Sequence, residues 1–338
     1  MKHIYYKVAH RPQAEIDSFK DRYRRFEVAL IPGIFQSALG FKVVKFTPSE
    51  SWGTSHVVYI VNVKNAAQPL ILRANTGFGH PETVMLTEKL ITNKVARLGV
   101  PTNKILYADI SRHKYQFDFQ IQEMLQGQDL ENHFTGSEES YDALSFELGG
   151  LIAKIHQIKL SGFGLFDEAA TLKGILQGIH TSFYDYVMVC LESDLRYLFD
   201  AQVLSRTQLK SIAKLFVDYR TIIAVKQGVL VHHDLADHNI MYQEDRITGI
   251  FDWEAAVVGD PVLDLASCPT WKTHYPREEK LLEGYKRLAK LPEHFTEKMN
   301  IYRLRTMLWK TVFAIRMNIL SESRRQKFSA ALKPFKLI

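Results

Sequence analysis

Residues 231–264 constrain the chain more than any other stretch, because they set polar residues at fixed spacings between short apolar runs. His232 and Asp234 form a His-x-Asp pattern after an apolar segment, and Asn239 follows five residues after the aspartate. This is the order of residues that a phosphoryl-transfer site requires.

The same stretch predicts a short hairpin. Residues 239–242 and 247–251 have the apolar, β-prone character of strands, and residues 243–246 between them are typical of a turn. Such a hairpin would return Asp252 towards Asn239.

Phosphoryl transfer needs a carboxylate near the acceptor hydroxyl and ligands that hold Mg²⁺ on the phosphates. Asp234 is the candidate base, and Asn239 and Asp252 are the candidate Mg²⁺ ligands. His232 is expected to be a buried support of the loop rather than a proton carrier. A His-x-Asp pair alone is common, and an Asp before an Asn can form a simple turn. The added hairpin and Asp252 favour the catalytic interpretation.

The first part of the chain predicts a small antiparallel sheet with helices beside it. Residues 12–39 have the spacing of an amphipathic helix, which we expect Pro32 and Gly33 to break or reset. The remaining predictions for this part are strands at 42–46, 56–63, 70–73, 104–109 and 117–124, and a helix at 81–98.

The character of the sequence changes at Leu125, where a polar, glycine-containing stretch begins and helical periodicity follows. We therefore expect a bilobal α+β fold, with a β-sheet lobe over residues 1–124 and a helical lobe over residues 125–338. The predicted helices are 141–158, 179–199, 206–224, 277–289 and 297–321, with a tight loop at 161–166 and a basic tail at the end.

Composition excludes several classes of protein. The net charge is +6, but the basic residues are spread out and form no motif for nucleic-acid recognition, so nucleic acid is not an expected partner. No signal peptide or transmembrane segment is predicted, so we expect a cytoplasmic protein without a membrane partner. Cys190 and Cys268 are far apart and predict neither a disulfide nor a metal site.

Four motifs together resemble the aminoglycoside phosphotransferase family, which is related to choline kinases and to hygromycin and macrolide phosphotransferases. They are HHDLADHN, ITGIFDWEAAVVGDPVLDLA, LGGLIAKIH followed by SGFGLF, and IQEMLQGQDL. The resemblance covers about residues 51–290. It implies a protein-kinase-like fold, ATP or GTP with Mg²⁺ between two lobes, and phosphorylation of a small-molecule hydroxyl.

The resemblance also implies roles in nucleotide binding. Residues 123–127, beginning with Glu123 and Met124, correspond to the hinge whose backbone would bind the base. Arg73 stands where such kinases usually carry a lysine for the α- and β-phosphates, and Glu88 is its expected partner. Arginine keeps the charge but differs in reach, and a surface role for Arg73 is the alternative.

Two further groups of residues are assigned by the same resemblance. Ser51, Gly53 and Ser55 would form the loop over the phosphates, although one glycine is a weak match to a glycine-rich loop. Asp260 and Asp264 would support the site structurally, Asp260 by hydrogen bonds within its loop and Asp264 by stabilising that loop or a helix start.

The sequence does not identify the acceptor molecule. A polycationic aminoglycoside would need carboxylates in its groove, whereas aromatic side chains could instead wall a pocket for a macrolide or a metabolite, although a packed core is their commoner fate. Candidate carboxylates are Asp185, Glu192, Asp194, Asp237 and Glu254, and candidate aromatics are Phe183, Tyr184, Tyr186, Tyr197, Phe199, Trp253, Trp271 and Tyr275.

Three functions fit these observations. The favoured one is an antibiotic-type phosphotransferase, the second is a metabolic kinase for a sugar, choline or amino alcohol, and the third is a nucleotide-binding pseudokinase. The intact Asp234, Asn239 and Asp252 argue against the third. The sequence indicates no oligomeric state.

Overall fold

The computed structural model describes residues 21–49, 56–75 and 82–337. Its first part is a five-stranded antiparallel sheet with strand order β1-β2-β3-β5-β4. The elements are α1 (Arg22–Arg25), α2 (Leu30–Leu39), β1 (Val43–Pro48), β2 (Val57–Val63), β3 (Leu70–Asn75), α3 (Val84–Ala96), β4 (Ile105–Asp109) and β5 (Asp118–Glu123).

The second part is mostly helical but contains two small sheets, with strand orders β7-β10-β13-β8-β9 and β12-β11-β6. Up to the loop after β10 its elements are β6 (Gln128–Asp129), α4 (Leu130–His133), α5 (Glu138–Ile155), β7 (Lys159–Leu160), β8 (Phe163–Phe166), α6 (Glu168–Leu172), β9 (Gly178–His180), α7 (Phe183–Met188), α8 (Leu191–Asp200), α9 (Arg206–Asp218), α10 (Arg220–Ile223) and β10 (Gly228–Val231). The remaining elements are β11 (Ile240–Gln243), β12 (Arg246–Ile250), β13 (Val257–Gly259), α11 (Val262–Ser267), α12 (Glu278–Lys286), α13 (Phe295–Arg316) and α14 (Glu322–Leu332).

The predicted α+β class, an antiparallel sheet followed by a helical part, is confirmed. The predicted hairpin is also present, because β11 and β12 pair in antiparallel fashion with Ile240 opposite Ile250. Within the described residues, no helix has the length and apolar character needed to cross a membrane.

The leading helix is not broken where we predicted. Within the described residues the interruption lies between Arg25 and Leu30, and Pro32 and Gly33 are both inside α2. Pro32 is the third residue of that helix, and amide groups in a first turn have no helical acceptor, so its missing N–H costs nothing there. Residues 12–20 lie outside the described residues.

Two other local predictions were wrong, and the basic tail forms a helix that was not predicted. The expected tight loop at 161–166 contains strand β8, and the basic tail contains helix α14, which Ser321 caps by accepting from the Arg324 amide. The expected helix at 179–199 begins in strand β9 and continues as two helices, because Cys190 between them has a left-handed backbone with φ of 60°. A single residue of this kind interrupts a right-handed helix.

The described residues form two separate hydrophobic cores. The smaller lies under the first sheet and includes Ile31, Phe35 and Leu72 from α2 and β3. The larger fills the second part, and it also takes in Ile91 and Val95 of α3. Helix α3 is therefore anchored on the second part although it lies within the first part of the sequence.

Helices α5 and α12 pack so closely that each needs a glycine at the contact. A Cβ on Gly149 would lie 1.9 Å from the Leu281 carbonyl oxygen, and a Cβ on Gly284 would lie 1.9 Å from that of Phe146. Backbone atoms cannot yield as a flexible side chain can. The neighbouring Gly150 differs, because its nearest atoms would be 3.9 Å away.

We predict that Gly149→Ala lowers the free energy of unfolding by about 1–3 kcal/mol or more, because the added methyl group overpacks the contact. Gly150→Ala on the same helix is the matched control. It should be neutral or stabilising by roughly 0.5–1 kcal/mol, because alanine favours a helix over glycine. Urea denaturation followed by circular dichroism measures both variants, and equal stability of the two would contradict the close-packing argument.

Candidate active site

The loop after β10, which carries the His-x-Asp pattern, is held by one buried carboxylate. Asp264 Oδ2 accepts from the His232 amide at 2.9 Å, and Asp264 Oδ1 accepts from the His233 amide at 2.7 Å. His156 Nε2 lies 3.2 Å from Oδ2. Burial alone would raise the pKa of Asp264, but the bond to His156 and the nearby histidines lower it below its usual value. Asp264 thus stays charged and fixes the start of the loop.

Asp234 occupies the tip of this loop in a well-defined orientation. Its amide donates to His232 Nδ1 at 3.2 Å, and Asn239 Nδ2 donates to its carbonyl oxygen at 2.9 Å and to its Oδ2 at 3.2 Å. The other carboxylate oxygen, Oδ1, is buried and has no hydrogen-bond partner among the described residues. An unpaired buried oxygen of this kind is costly, so Asp234 is a candidate functional position.

The electrostatic surroundings hold the pKa of Asp234 at about 6. Burial is the main cause of this rise, His238 opposes it, and the negative charge of Asp252 adds to it. A carboxylate with a raised pKa is a better proton acceptor near neutral pH than an ordinary aspartate.

The hairpin returns Asp252 to the same place. Asn239 and Phe251 are joined by a backbone hydrogen bond of 3.1 Å, and His232 Nε2 lies 3.1 Å from the Phe251 carbonyl oxygen. Asp252 itself has a left-handed backbone with φ of 64°, which is uncommon for a residue with a side chain. The loop and the end of the hairpin are therefore bonded to each other directly.

Arg73 joins the first sheet to this site. Its Nη1 donates to both carboxylate oxygens of Glu88, at 3.1 and 2.9 Å, which is the pairing that the sequence predicts. Its Nη2 donates to Asp252 Oδ1 at 3.1 Å. Burial would lower the pKa of Arg73, but Glu88 and Asp252 raise it, so the guanidinium stays charged. Arg73 is a bridge in the interior, not a surface residue.

The oxygen atoms left free at this site fit a magnesium ion. Among the described residues, Asn239 Oδ1 and Asp252 Oδ2 accept no hydrogen bond. The side-chain hydrogen bonds of Asn239 use its Nδ2, and that of Asp252 uses its Oδ1. No group of three or more histidine, cysteine, aspartate or glutamate side chains in the described part of the chain is arranged for a metal. One amide and one carboxylate oxygen suit Mg²⁺, which keeps several waters and binds substrate phosphates.

The predicted hinge borders a cavity of about 380 Å³. The Glu123 amide is already used, since it donates to the Lys104 carbonyl oxygen at 2.9 Å, whereas the Met124 side chain is exposed. Thr248 Oγ1 donates to the Gln126 carbonyl oxygen at 2.6 Å and ties the segment to β12. The lining residues are Thr102, Asn103, Lys104, Glu123, Met124, Leu125, Gln126 and Thr248. Ser51, Gly53 and Ser55 of the predicted phosphate loop lie outside the described residues.

Asp260, the second aspartate expected to support the site, is buried just before helix α11, which contains Asp264. It accepts from Lys298 Nζ at 2.7 Å, from the Tyr302 hydroxyl at 2.9 Å and, through Oδ1, from the Val262 amide at 2.9 Å. These bonds attach α13 to the start of α11.

Three of the five candidate acceptor carboxylates are used inside the protein. Asp194 pairs with Arg305 at 2.8 Å, and Asp237 pairs with Arg277. Glu254 lies 2.8 Å from His56 and 3.8 Å from Arg73. Asp185 and Glu192 are exposed. Likewise Phe183, Tyr186 and Trp253 belong to the packed core rather than to a pocket wall.

Sequence reasoning missed Lys310, which the structure buries near Asp234. It is only 4% exposed, and Asp234 and Lys310 influence each other's charge. The signal for it was present, because Lys310 is the one charged residue in the otherwise uncharged run from Thr306 to Ala314.

Comparison with known proteins gives a consistent result. Residues 51–297 match the model of a family described as the phosphotransferase enzyme family. No curated protein sequence matches the chain significantly.

Solved structures share the fold at low sequence identity. A thermostable mutant of aminoglycoside phosphotransferase APH(4)-Ia, in a ternary complex with AMP-PNP and hygromycin B, is 17% identical with a TM-score of 0.67, over 90% of this chain and 98% of that one. A macrolide 2′-phosphotransferase from Brachybacterium faecium is 16% identical with a TM-score of 0.61, over 91% and 99%. ADP-bound aminoglycoside phosphotransferase APH(2″)-Ib is 15% identical with a TM-score of 0.58, over 90% and 99%. The bilobal fold expected from the resemblance is confirmed by these structures.

We predict that Asp264→Ala lowers the free energy of unfolding by about 3–5 kcal/mol, because it leaves buried amides and His156 without their charged acceptor. The matched control is Asp218→Ala, which removes the exposed Asp218–Lys214 pair and should cost less than about 1 kcal/mol. Denaturant titration measures both variants. Similar losses for the two would show that Asp264 does not hold the loop.

Proposed function

The chain belongs to the phosphotransferase enzyme family, and we propose that it is a small-molecule kinase that transfers the γ-phosphate of ATP or GTP to an acceptor hydroxyl. The observation that carries the proposal is the geometry around Asp234. Its free, buried Oδ1 lies in a loop that Asn239 and the end of the hairpin hold in place. This arrangement meets the needs of phosphoryl transfer, which depends on position and charge more than on covalent chemistry.

In this proposal Asp234 accepts the proton of the acceptor hydroxyl as the hydroxyl oxygen attacks the γ-phosphorus. The bond from that phosphorus to the β,γ-bridging oxygen breaks, and ADP or GDP leaves. The raised pKa of about 6 makes the carboxylate a suitable acceptor at neutral pH. Asn239 donates to Oδ2 of Asp234 and so leaves Oδ1 as the oxygen that would accept the proton. His232 takes no proton, because its ring is buried between Phe251 and the Asp234 amide, and burial lowers its pKa.

Asn239 and Asp252 would hold Mg²⁺ through their free oxygen atoms. When bound, the ion neutralises charge on the β- and γ-phosphates. Arg73 would contact the α- and β-phosphates while Glu88 keeps its guanidinium in place. Because Arg73 also donates to Asp252, one arginine sets the position of both the phosphate-binding charge and a metal ligand.

We place the nucleotide between an N-terminal lobe of residues 1–124 and a C-terminal lobe of residues 125–338. The hinge from Glu123 onward would contact the base, and Ser51, Gly53 and Ser55 would cover the phosphates. The two free cysteines and the nucleotide donor fit the reducing cytoplasm.

The acceptor is a small molecule, and two classes compete. Similarity to structures that bind hygromycin B or act on macrolides supports an antibiotic acceptor. The internal pairing of Asp194, Asp237 and Glu254 leaves few carboxylates for a polycationic aminoglycoside, and this favours an acceptor that is not polycationic, either another antibiotic or a metabolite. A pseudokinase is disfavoured, because Asp234, Asn239 and Asp252 are all intact.

We predict that Asp234→Ala lowers kcat by about 10²–10⁴-fold with little change in nucleotide affinity, because the lost carboxylate acts on the acceptor. The reaction is followed by ADP release over a panel of aminoglycosides, macrolides, choline, homoserine and sugars, and nucleotide affinity by calorimetry. Asp245→Ala in the exposed turn of the same hairpin is the control and should keep full activity. A parallel loss of nucleotide binding in Asp234→Ala would refute the role as base.

Asp252→Ala should weaken nucleotide binding in the presence of Mg²⁺ by at least about tenfold, on the scale of residues that support metal sites. Binding measured in EDTA should differ much less between the variant and the native protein, because no metal bridge is then present. Asp245→Ala again serves as the control. If the variant retains the native dependence on Mg²⁺ concentration, Asp252 is not a ligand.

A further inference from the structure

Two lysine side chains contact Trp271 or its backbone, and Arg324 lies near enough to act on the charge of both lysines. We call Lys310, Arg324 and Lys327 the basic cluster. Lys310 Nζ lies 3.0 Å from the centroid of the Trp271 ring and donates to Thr270 Oγ1 at 2.6 Å. Lys327 Nζ donates to the carbonyl oxygens of Trp271 and, at 3.3 Å, of Thr270.

The basic cluster adjoins the loop that carries Asp234. The ring of His233, just before Asp234, lies 6.2 Å from the ring of Trp309, just before Lys310. The ring of His238, four residues after Asp234, meets the edge of Trp271 at 5.6 Å. The residues on both sides of the proposed base therefore contact the segments that carry the cluster.

The basic cluster contains side chains that form no ion pair with a carboxylate among the described residues. In the part of the chain that the structure describes, no carboxylate oxygen lies within 4.0 Å of Lys310, Arg324 or Lys327. Lys310 is 4% exposed, and burial together with Lys327 and Arg324 lowers its pKa well below the ordinary value, although Asp234 opposes this. Buried or crowded cations without a counterion are destabilising, so the arrangement calls for a negative group from outside.

Asp234, the proposed base, is the acidic side chain with the strongest influence on Lys310, and two other acidic side chains near the basic cluster are bonded elsewhere. Glu131 Oε2 lies 2.8 Å from His238 Nδ1, and Asp237 accepts from Arg277 and, at 2.7 Å, from the Tyr141 hydroxyl. In addition, Trp271 Nε1 is a buried donor without an acceptor in the described residues. Among the described residues, the surroundings of Trp271 thus offer positive charge and a free donor, while Glu131 and Asp237 are both engaged in bonds within the protein.

We propose that the basic cluster binds an anionic group of the acceptor, so that the substrate is a hydroxylated organic anion carrying a carboxylate or a phosphate. Arg324 and Lys327 are half-buried and would contact the anion directly, while a bound anion would stabilise the charged form of the buried Lys310, which donates to Thr270 Oγ1. The inference rests on the proposed kinase function, because it concerns the acceptor of that reaction. A polycationic aminoglycoside would be repelled at this place.

The test measures the melting temperature of the full chain with saturating Mg²⁺ and ADP. The nucleotide then fills the proposed phosphate site, so that the added probes do not bind there. Four probes are added at constant ionic strength: gluconate as a carboxylate, glycerol 3-phosphate as a phosphate, sorbitol as a neutral polyol and tobramycin as a polycation. A ligand that binds the folded state raises the melting temperature. We expect a rise with gluconate, with glycerol 3-phosphate or with both, and none with sorbitol or tobramycin.

The decisive comparison uses two double variants with the same change in charge. Arg324→Gln with Lys327→Gln should weaken binding of the effective anion by at least about tenfold. Arg325→Gln with Lys333→Gln, both exposed residues near the same helix, should leave it unchanged. The proposal is overturned if neither anion acts, if tobramycin acts instead, or if the two double variants behave alike. The shift caused by Mg²⁺ and ADP alone reports separately on the proposed kinase function.

Discussion

The negative charge of Asp264, buried in the larger part of the molecule, organises the whole catalytic region. It receives two backbone amides from the loop after β10 and faces His156 of the segment after α5. A buried carboxylate needs hydrogen-bond donors, and the loop supplies two of them by passing over Asp264. This conformation places Asp234 at the tip of the loop. Asp260, four residues earlier, holds helix α13 in place by accepting from Lys298 and Tyr302.

A second level of organisation comes from Arg73, which reaches from the sheet to both Glu88 and Asp252. A lysine has one ammonium group, whereas the guanidinium presents two edges and can serve two carboxylates at once. The departure from the usual lysine is therefore matched by the surrounding structure. The basic cluster differs, since Lys310 and Lys327 bond to hydroxyl and carbonyl oxygens and, among the described residues, to no carboxylate.

The sequence predicted the elements that depend on local pattern and on motif. Asp234, Asn239 and the hairpin that returns Asp252 could be anticipated because their spacing is short and the turn between the strands is recognisable. Distant pairing could not be anticipated: Asp194 meets Arg305 and Asp237 meets Arg277 only through the tertiary fold. The break at Cys190 and the strand at 163–166 likewise depend on backbone conformations and contacts that periodicity does not encode.

The separation of the two hydrophobic cores has a mechanical consequence. Ile91 and Val95 attach α3 to the larger core, while the sheet that carries Arg73 has a core of its own. A rotation of the sheet against the rest would leave both apolar interiors intact and would break polar bonds, among them those of Arg73 to Glu88 and Asp252, of Gln120 to Glu88 and of His56 to Glu254. A hinge motion of this kind would be resisted by charged and polar contacts rather than by the two cores.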